Sequence, residues 1–538
     1  MPLDKTGNQI TDSPERYRRS TILWSVILFC SMILMITALS FYVLSDNNLY
    51  YSMQLAASLD LINYLYPEEY NATQMVRQAR QAIFSSLDRY SGYLEPEDLN
   101  RVTEEFSGSY GGIGITVVTD DKGLMIMSVR EDGPAGRVGM QTGDIIIKAD
   151  SVRLGGLNSY QSTYILRGEE GTSVKVTVAR NQMADTLEFD LVREKLRLIH
   201  IPYAGLTENK SLYIRIMDFE ANLAEDLLAC LDSLYLNQKD SVKSIILDLR
   251  GNPGGLLNEA VAAANLFLDK GHLIVGVKGR SRWRNDQFQS SGRDITNGLP
   301  LAILVDRGSA SASEILAGAL KYAGRAVLIG DTTFGKGLVQ EYNGLYDGSG
   351  VRLTTARYYF EGNRFLNDPE AEVIDSAAGI PPDYYYKPPS SEPFPQWLER
   401  TQQLRDFAIN NKEEIIAYAP FTESSARWLG DFVNHMRRKN LKYESDITLL
   451  AQFARDETIF NNYSEGLLRV IDKISRIAED DDLRQYEVYG DFIRQRLYQI
   501  AIEAQFGEER SYREAIVPYR RDIIMAEEVL SPKAKTDN

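Results

Sequence analysis

Two glycine-rich stretches hold serines and a lysine at a spacing that could support nucleophilic catalysis. Residues 301–340 read LAILVDRGSASASEILAGALKYAGRAVLIGDTTFGKGLVQ. The apolar run 301–305, the Gly/Ser turn and the later apolar residues at helical spacing predict a strand, a sharp turn and a helix. A serine at that turn would lie among free backbone amides, which stabilise the negative charge of a tetrahedral intermediate. A second predicted strand, 326–329, leads to Lys336 between two glycines, so a Ser/Lys dyad is possible.

The segments GSASASEILAGAL and FGKGLVQ resemble the carboxyl-terminal processing proteases, a family of tail-specific Ser/Lys endopeptidases. The resemblance implies that Ser311 is the nucleophile, Lys336 the base and Gln340 the residue that orients the lysine. It implies proteolysis through an acyl-enzyme without metal or cofactor. It also implies a crotonase-like ββα core with an inserted PDZ domain.

Other interpretations of the serine turn stay open. Ser311 and Glu314 have the spacing of a capping box, which by itself needs no catalysis. Ser309 or Ser313 could equally be the exposed hydroxyl, and spacing alone does not choose between them.

Nucleotide binding and histidine chemistry are less favoured. Residues 330–336 nearly match a phosphate-binding loop, but Gly337 stands where that loop has a magnesium-binding hydroxyl. The three histidines have no motif around them and are interpreted as structural or surface residues: His200, His272 and His435.

A third glycine-rich stretch offers backbone amides. Residues 241–268 predict a buried strand, a Gly/Pro turn and a helix, and they contain the family's D-L-R-x-N-P-G-G motif. Amides near Gly254 and Gly255, together with that of Ala312, are candidate oxyanion donors. The alternative is a tight turn without that role. The family's closing pattern is also present, as LTTARYY and GIPPD, whereas Asp306-Arg307 departs from its usual asparagine and glycine.

The β-rich stretch 109–194 contains YGGIGITVV, EDGPAGRVGMQTGDIIIKADSV and TSVKVTVAR, which resemble a PDZ domain of bacterial proteases. Backbone amides there can hold a terminal carboxylate while a strand edge pairs with the peptide. We therefore expect protein substrates with free, apolar C-termini, and the alternative is a small β-domain without a ligand. The predicted peptide-binding residues are Gly111, Gly112, Ile113, Gly114 and Ile115.

Residues 22–44 form an uncharged apolar run that would span about 34 Å as a helix, against a hydrocarbon core of about 30 Å. Arg16, Arg18 and Arg19 precede it, so the positive-inside rule predicts that residues 1–21 are cytoplasmic. The rest of the chain would then lie on the periplasmic or extracytoplasmic side of the cytoplasmic membrane. A cleaved signal peptide is the alternative, but its apolar region is typically only about 7 to 15 residues long.

Composition sets outer limits on function. The 538 residues are 44% hydrophobic and 25% charged, as in globular proteins, and a net charge of −16 argues against a nucleic-acid partner. The two cysteines, Cys30 and Cys230, supply neither a metal site nor a disulfide.

The sequence thus predicts a multidomain α/β protein, a membrane-anchored serine endopeptidase. The alternative is a PDZ scaffold with a vestigial protease core. The C-terminal region lies outside the resemblance and is expected to dock on the core, form a homo-oligomer interface or hold an adaptor. The predicted segments are a transmembrane anchor (22–44), a helical region (46–108), the PDZ domain (109–194), the protease core (195–388) and a C-terminal helical domain (389–538).

Overall fold

The computed structural model contains two compact units, Met1–Ile83 and Phe84–Asn538. It describes residues 23–25, 27–35, 47–120, 122–157, 159–180, 185–236, 241–280, 285–366, 379–461 and 463–531. In the first unit, residues 27–35 are helical. Two longer helices follow, α1 (Asn47–Leu65) and α2 (Ala72–Ser85).

Across the described residues, no helix is both long and apolar enough to cross a membrane. The predicted span 22–44 falls in part on residues outside that set. The fold class observed here is therefore mixed α/β and multidomain, without support for the transmembrane helix.

The second unit opens with β1 (Gly92–Leu94) and α3 (Pro96–Phe106), and a β-rich domain follows. In its strand 173–180, Val174, Val176 and Val178 are buried alternately, so one face of the strand packs into the core. The domain, called the β domain below, consists of β2 (Ser109–Gly112), β3 (Ile115–Asp120), β4 (Gly123–Val129), α4 (Pro134–Arg137), β5 (Ile145–Ala149), β6 (Val152–Arg153), α5 (Ser159–Leu166), β7 (Ser173–Arg180), β8 (Asp185–Val192) and β9 (Glu194–Arg197).

The β domain's main sheet has the order β3-β4-β5-β7-β8, with β6 paired to β5. Strand β3 is therefore an edge strand. Strands β2 and β9 pair antiparallel in a separate ribbon, where the chain enters and leaves the domain.

The catalytic-motif region folds as an α/β core with two six-stranded sheets. Its elements are β10 (Tyr203–Leu206), β11 (Ser211–Arg215), α6 (Leu223–Leu231), a π-helix (Asp232–Leu236), β12 (Ser244–Asp248), α7 (Leu257–Asn265), β13 (Leu273–Gly279), β14 (Asp286–Gln289), β15 (Leu301–Val305), α8 (Ala312–Tyr322), β16 (Val327–Gly330), β17 (Leu338–Gly344), β18 (Gly350–Phe360), β19 (Arg364–Phe365) and β20 (Tyr384–Tyr385).

One sheet of the core has the order β10-β11-β12-β15-β16-β20 and is parallel from β11 to β20. All residues of β12 and β15 are buried, as their uninterrupted apolar sequences predict. Since β12, β15 and β16 are parallel, the three loops that follow them leave the same edge of the sheet. Those loops contain Gly254, Ser311 and Lys336.

The other sheet places β1 beside β18 and pairs β17 with β18. Strand β17 carries Gln340, with a register irregularity between Val339 and Gln340. This pairing brings the segment before β1 close to β17.

The C-terminal region is helical and has its own apolar core, which includes Phe394, Trp428 and Phe432. Its last helix instead covers the parallel sheet, where Ile523 packs with Tyr213. The helices are a 3-10 turn (Pro389–Ser391), α9 (Pro393–Arg400), α10 (Gln403–Asn410), α11 (Lys412–Ile416), α12 (Glu423–Arg438), α13 (Asp446–Phe460), α14 (Glu465–Val488), α15 (Gly490–Phe506), α16 (Glu508–Ser511), a π-helix (Tyr512–Ile516) and α17 (Arg521–Leu530).

Candidate active site

The three serines of the turn between β15 and α8 have different environments. Ser309 Oγ donates to the carbonyl oxygen of Leu249 at 2.8 Å, and Ser313 Oγ donates to that of Asn252 at 2.9 Å. Both serines are fully buried. Ser311 is half-buried and lines a cavity of about 210 Å³. It is therefore the serine of this turn that a substrate could reach.

The backbone of Ser311 is strained, with φ 55° and ψ −114°. A non-glycine residue at positive φ costs free energy and recurs at functional sites, where the surrounding structure enforces it. Here the residue stands between β15 and α8, at a sharp strand-to-helix turn. Such a turn presents the side chain away from the sheet.

Lys336 lines the same cavity and is half-buried. Burial lowers the pKa of its ammonium group below the usual lysine value, the nearby Arg352 lowers it further, and Glu314 opposes the shift. The Nζ atom lies 5.5 Å from the centre of the Tyr90 ring. Within the described residues, no hydrogen bond joins Ser311 Oγ to Lys336 Nζ. The two residues share the lining of one cavity.

Glu314 ties the two candidate residues together. Its Oε2 accepts hydrogen bonds from the backbone amides of Ser311 at 2.9 Å and Lys336 at 2.8 Å. Its Oε1 accepts from Thr333 Oγ1 at 2.6 Å and the amide of Gly335 at 2.7 Å. The side chain is fully buried, and burial raises its pKa while these donors oppose the rise. The capping interaction expected from the sequence therefore extends to the lysine loop.

Tyr358, on β18, supports the same two segments from another side. Its hydroxyl donates to the carbonyl oxygen of Lys336 and lies 3.3 Å from that of Ser311. The ring is buried. In the sequence this residue stands out only as part of LTTARYY, a pattern that does not indicate its contacts.

The glycine loop after β12 lies against the serine turn. A Cβ atom on Gly254 would approach the amide nitrogen of Ala312 to 2.8 Å, so only glycine fits there. The Gly254 amide donates to Asn252 Oδ1 at 2.9 Å, whereas Gly255 lines the cavity. Both glycines have positive φ, 101° and 151°. Of the two glycines, Gly255 is therefore the better candidate for an oxyanion donor, because the Gly254 amide already has an acceptor.

Gln340 also lines the cavity, but its amide nitrogen donates to the carbonyl oxygen of Tyr90 at 3.0 Å. The same carbonyl accepts from Arg352 Nε at 2.6 Å. The turn that presents it is held by Asp88, whose Oδ1 accepts from the amides of Tyr90 and Ser91 at 2.7 and 2.8 Å. In the sequence this turn falls only within the predicted helical region 46–108, and its contact with the site follows from the pairing of β1 with β18.

The predicted peptide-binding residues lie where the ribbon of the β domain leads into its edge strand. Gly111 is packed so closely that a Cβ atom would come within 1.9 Å of the Gly168 carbonyl oxygen. Ile113 is buried, Gly114 has φ 79°, and β3 begins at Ile115. A glycine-rich loop therefore precedes an edge strand, as carboxylate capture and strand addition require.

The other residues considered in the sequence lie apart from this cavity. His200 is buried with Nδ1 at 2.5 Å from Asp218 Oδ1, and His435 Nε2 lies 3.0 Å from Gln403 Oε1. In the described part of the chain, no group of three or more His, Cys, Asp or Glu residues could hold a metal ion.

Comparison with known proteins identifies the family of the chain. The family model for peptidase family S41 matches residues 210–386, and that for the PDZ domain matches residues 111–191. A carboxy-terminal-processing protease of Bartonella bacilliformis is 31% identical over 380 residues, which is 70% of this chain and 84% of that protein. The carboxy-terminal processing protease CtpA of Bacillus subtilis is 34% identical over 294 residues, or 54% of this chain and 62% of that protein.

Among solved structures, the photosystem II D1 C-terminal processing protease matches with a TM-score of 0.37 and 29% identity, covering 61% of this chain and 86% of that one. Fold and site together define a serine peptidase with a PDZ domain. The chain belongs to the carboxy-terminal processing proteases of peptidase family S41, which confirms the resemblance seen in its motifs.

Proposed function

We propose that Ser311 and Lys336 form the catalytic dyad of this protease. The observation that carries the proposal is that both side chains line one cavity while a single buried carboxylate oxygen, Glu314 Oε2, accepts hydrogen bonds from both backbone amides. Ser309 and Ser313 are buried and already hydrogen-bonded, which supports Ser311 as the nucleophile.

In the proposed reaction, Ser311 Oγ attacks the peptide carbonyl and Lys336 Nζ takes the serine proton. The amides of Gly255 and Ala312 stabilise the oxyanion, and the lysine returns the proton to the leaving amine. Water then hydrolyses the acyl-enzyme. Gln340 would orient the lysine after releasing the Tyr90 carbonyl. Leu256, Ile315, Leu338 and Val339 line the cavity and support an apolar side chain next to the bond that is cleaved.

The β domain is proposed to select substrates by their chain ends. The loop 111–114 would hold a free carboxylate, and edge strand β3 would pair with the tail. Apolar tails are expected because the neighbouring side chains include Ile113 and Ile115.

We place the enzyme on the periplasmic or extracytoplasmic face of the cytoplasmic membrane. Support comes from the uncharged run 22–44 and the arginines before it. Helices α13 and α14 carry exposed apolar side chains, including Leu450, Phe453 and Val470, which support a homo-oligomer or adaptor contact.

The test uses the detergent-extracted full chain and an unfolded protein with a free apolar C-terminus. Ser311→Ala should abolish cleavage, whereas Ser309→Ala and Ser313→Ala should keep most of the activity. Cleavage by Ser311→Ala at the unmodified rate would reject the dyad. Absence of cleavage by the unmodified protein would favour the scaffold alternative.

A further inference from the structure

Strand geometry fixes the direction of a tail bound to the β domain. The glycine loop 111–114 stands at the start of β3, so a carboxylate held there leaves the peptide running antiparallel to that strand. Residues upstream in the substrate then travel towards Thr119, near the end of β3. At about 3.3 Å per residue, the six residues of β3 span roughly six residues of substrate.

The C-terminal helical region meets the β domain at that end. Gln402, which precedes α10, places Nε2 at 3.5 Å from the carbonyl oxygen of Thr119. Ile409, on α10, packs against Gly143. Between the β domain and helices α10 to α12 lies an open cleft of about 1000 Å³. Lys122, two residues beyond the end of β3, and Gln403, next to Gln402, line this cleft, so a tail that continues past β3 would meet its edge.

The cleft is lined by an excess of basic residues, although the whole chain carries a net charge of −16. Of its acidic groups, Asp144 is engaged by Arg180 at 2.7 Å, which leaves Asp406 as the other carboxylate. The basic side chains in the lining are Lys122, Arg180, Lys412, His435 and Lys439.

Within the described residues, the ammonium groups of Lys412 and Lys439 make no ion pair and no hydrogen bond. Neighbouring charges also act on His435, whose pKa is lowered by burial first and then by Lys439 and Arg438, while Asp406 opposes the shift.

We propose that this cleft is a second recognition site for the substrate, which binds acidic residues located about six to nine positions before the free C-terminus. Lys412 and Lys439 would pair with the substrate carboxylates. The inference rests on the proposed capture of the chain end by the β domain. It assigns to the C-terminal helical region a direct part in choosing substrates.

The experiment compares three tails on one carrier protein that share their last five residues and carry Glu, Gln or Lys at positions six to nine from the end. With the full-length enzyme at low ionic strength, kcat/KM should fall in the order Glu, Gln, Lys. We expect about 3- to 10-fold between Glu and Gln, in line with two partly exposed ion pairs. The difference should shrink at 0.5 M salt, since ions screen exposed charges.

The double variant Lys412→Glu/Lys439→Glu should reverse the order. The matched control Lys473→Glu/Arg476→Glu, on exposed positions of α14, should keep it. Equal cleavage of the Glu and Lys tails at low salt would overturn the proposal. An acidic preference that persists in the Lys412→Glu/Lys439→Glu variant would also overturn it.

Amidated versions of the same tails separate this inference from the function it rests on. Slower cleavage of amidated tails, together with no charge preference, would leave end capture standing and reject the cleft alone. Equal cleavage of amidated and free tails would reject end capture, and with it the spacing proposed here.

Discussion

Glu314 Oε2 accepts a hydrogen bond from the backbone amide of Lys336 at 2.8 Å, although the two residues are far apart in sequence. The same oxygen accepts from the amide of Ser311, so one atom fixes the backbone at both ends of the proposed dyad. All four donors to this carboxylate are N–H or O–H groups, an arrangement that suits an acceptor-only side chain.

Glu314→Gln should therefore impair catalysis, although glutamine and glutamate have nearly the same size. An amide nitrogen in place of one oxygen would face two donors, with a loss of roughly 2 to 3 kcal/mol in the free energy of unfolding. We expect kcat to fall at least about 10-fold, since a small misplacement of reacting groups is costly. The test measures kcat and the melting temperature of Glu314→Gln and of the exposed control Glu225→Gln. Unchanged kcat in Glu314→Gln would contradict the positioning role.

The pH dependence of kcat/KM should reflect a lysine that loses its proton at a lower pH than a free lysine does. Burial and Arg352 lower the pKa of Lys336, so the neutral amine needed as a base forms at lower pH than in a free lysine. Activity should rise with pH through that pKa. Removing the charge in Arg352→Gln should raise the pKa and move the rising limb of kcat/KM to higher pH, whereas exposed Arg293→Gln should not. A shift to lower pH would disprove the assignment of this limb to Lys336.

Tyr358→Phe removes the donor to the Lys336 carbonyl and leaves the buried ring in place. A lost hydrogen bond of this kind costs about 1 kcal/mol in stability. The loss in kcat, expressed as a free energy, should exceed the loss in the free energy of unfolding. The reason is that the loop carrying Lys336 loses one of the contacts that hold it. Peptide hydrolysis and thermal melting of the same preparation test this, and a melting change without any change in kcat would make Tyr358 purely structural.

The last helix should be needed for the integrity of the core. Asp522 is buried and accepts hydrogen bonds from Arg250 and from Arg520, the latter at 2.9 Å. Burial, followed by the charge of Arg250, lowers the pKa of Arg520 to about 10. Asp522→Ala would leave the partly exposed Arg520 without this partner, whereas Arg250 keeps its ion pair with Asp248, and should cost about 2 kcal/mol. The melting temperature of Asp522→Ala should be several degrees lower than that of the exposed control Asp480→Ala. Equal melting temperatures of the two variants would contradict a stabilising role of α17.

The sequence predicts local features well because short-range patterns encode them. The strand, turn and helix around Ser311 follow from an apolar run, small residues and helical spacing, and the structure has them. Lys336 was identified by its flanking glycines and by the family resemblance. The loops meet because β12, β15 and β16 are parallel neighbours, a pairing that spacing does not encode.

Contacts between distant segments could not be predicted in this way. Gln340 was expected to orient the lysine, yet its amide donates to Tyr90, 250 residues earlier. Glu314 has the sequence of a helix cap, and its second role depends on the lysine loop folding over it. The cleft between the β domain and α10 likewise depends on how two domains pack, for which the chain carries no short motif.

Covalent labelling of the nucleophile is the sharpest test of the Ser311–Lys336 dyad. The full-length enzyme is treated with a fluorophosphonate, whose phosphorus bonds to an activated serine oxygen while fluoride leaves, and the adduct is mapped by peptide mass. We expect labelling at Ser311, little or none at Ser309 and Ser313, and loss of labelling in Lys336→Arg because a guanidinium stays protonated. Labelling at another serine, or full labelling of Ser311 in Lys336→Arg, would contradict the Ser311–Lys336 dyad.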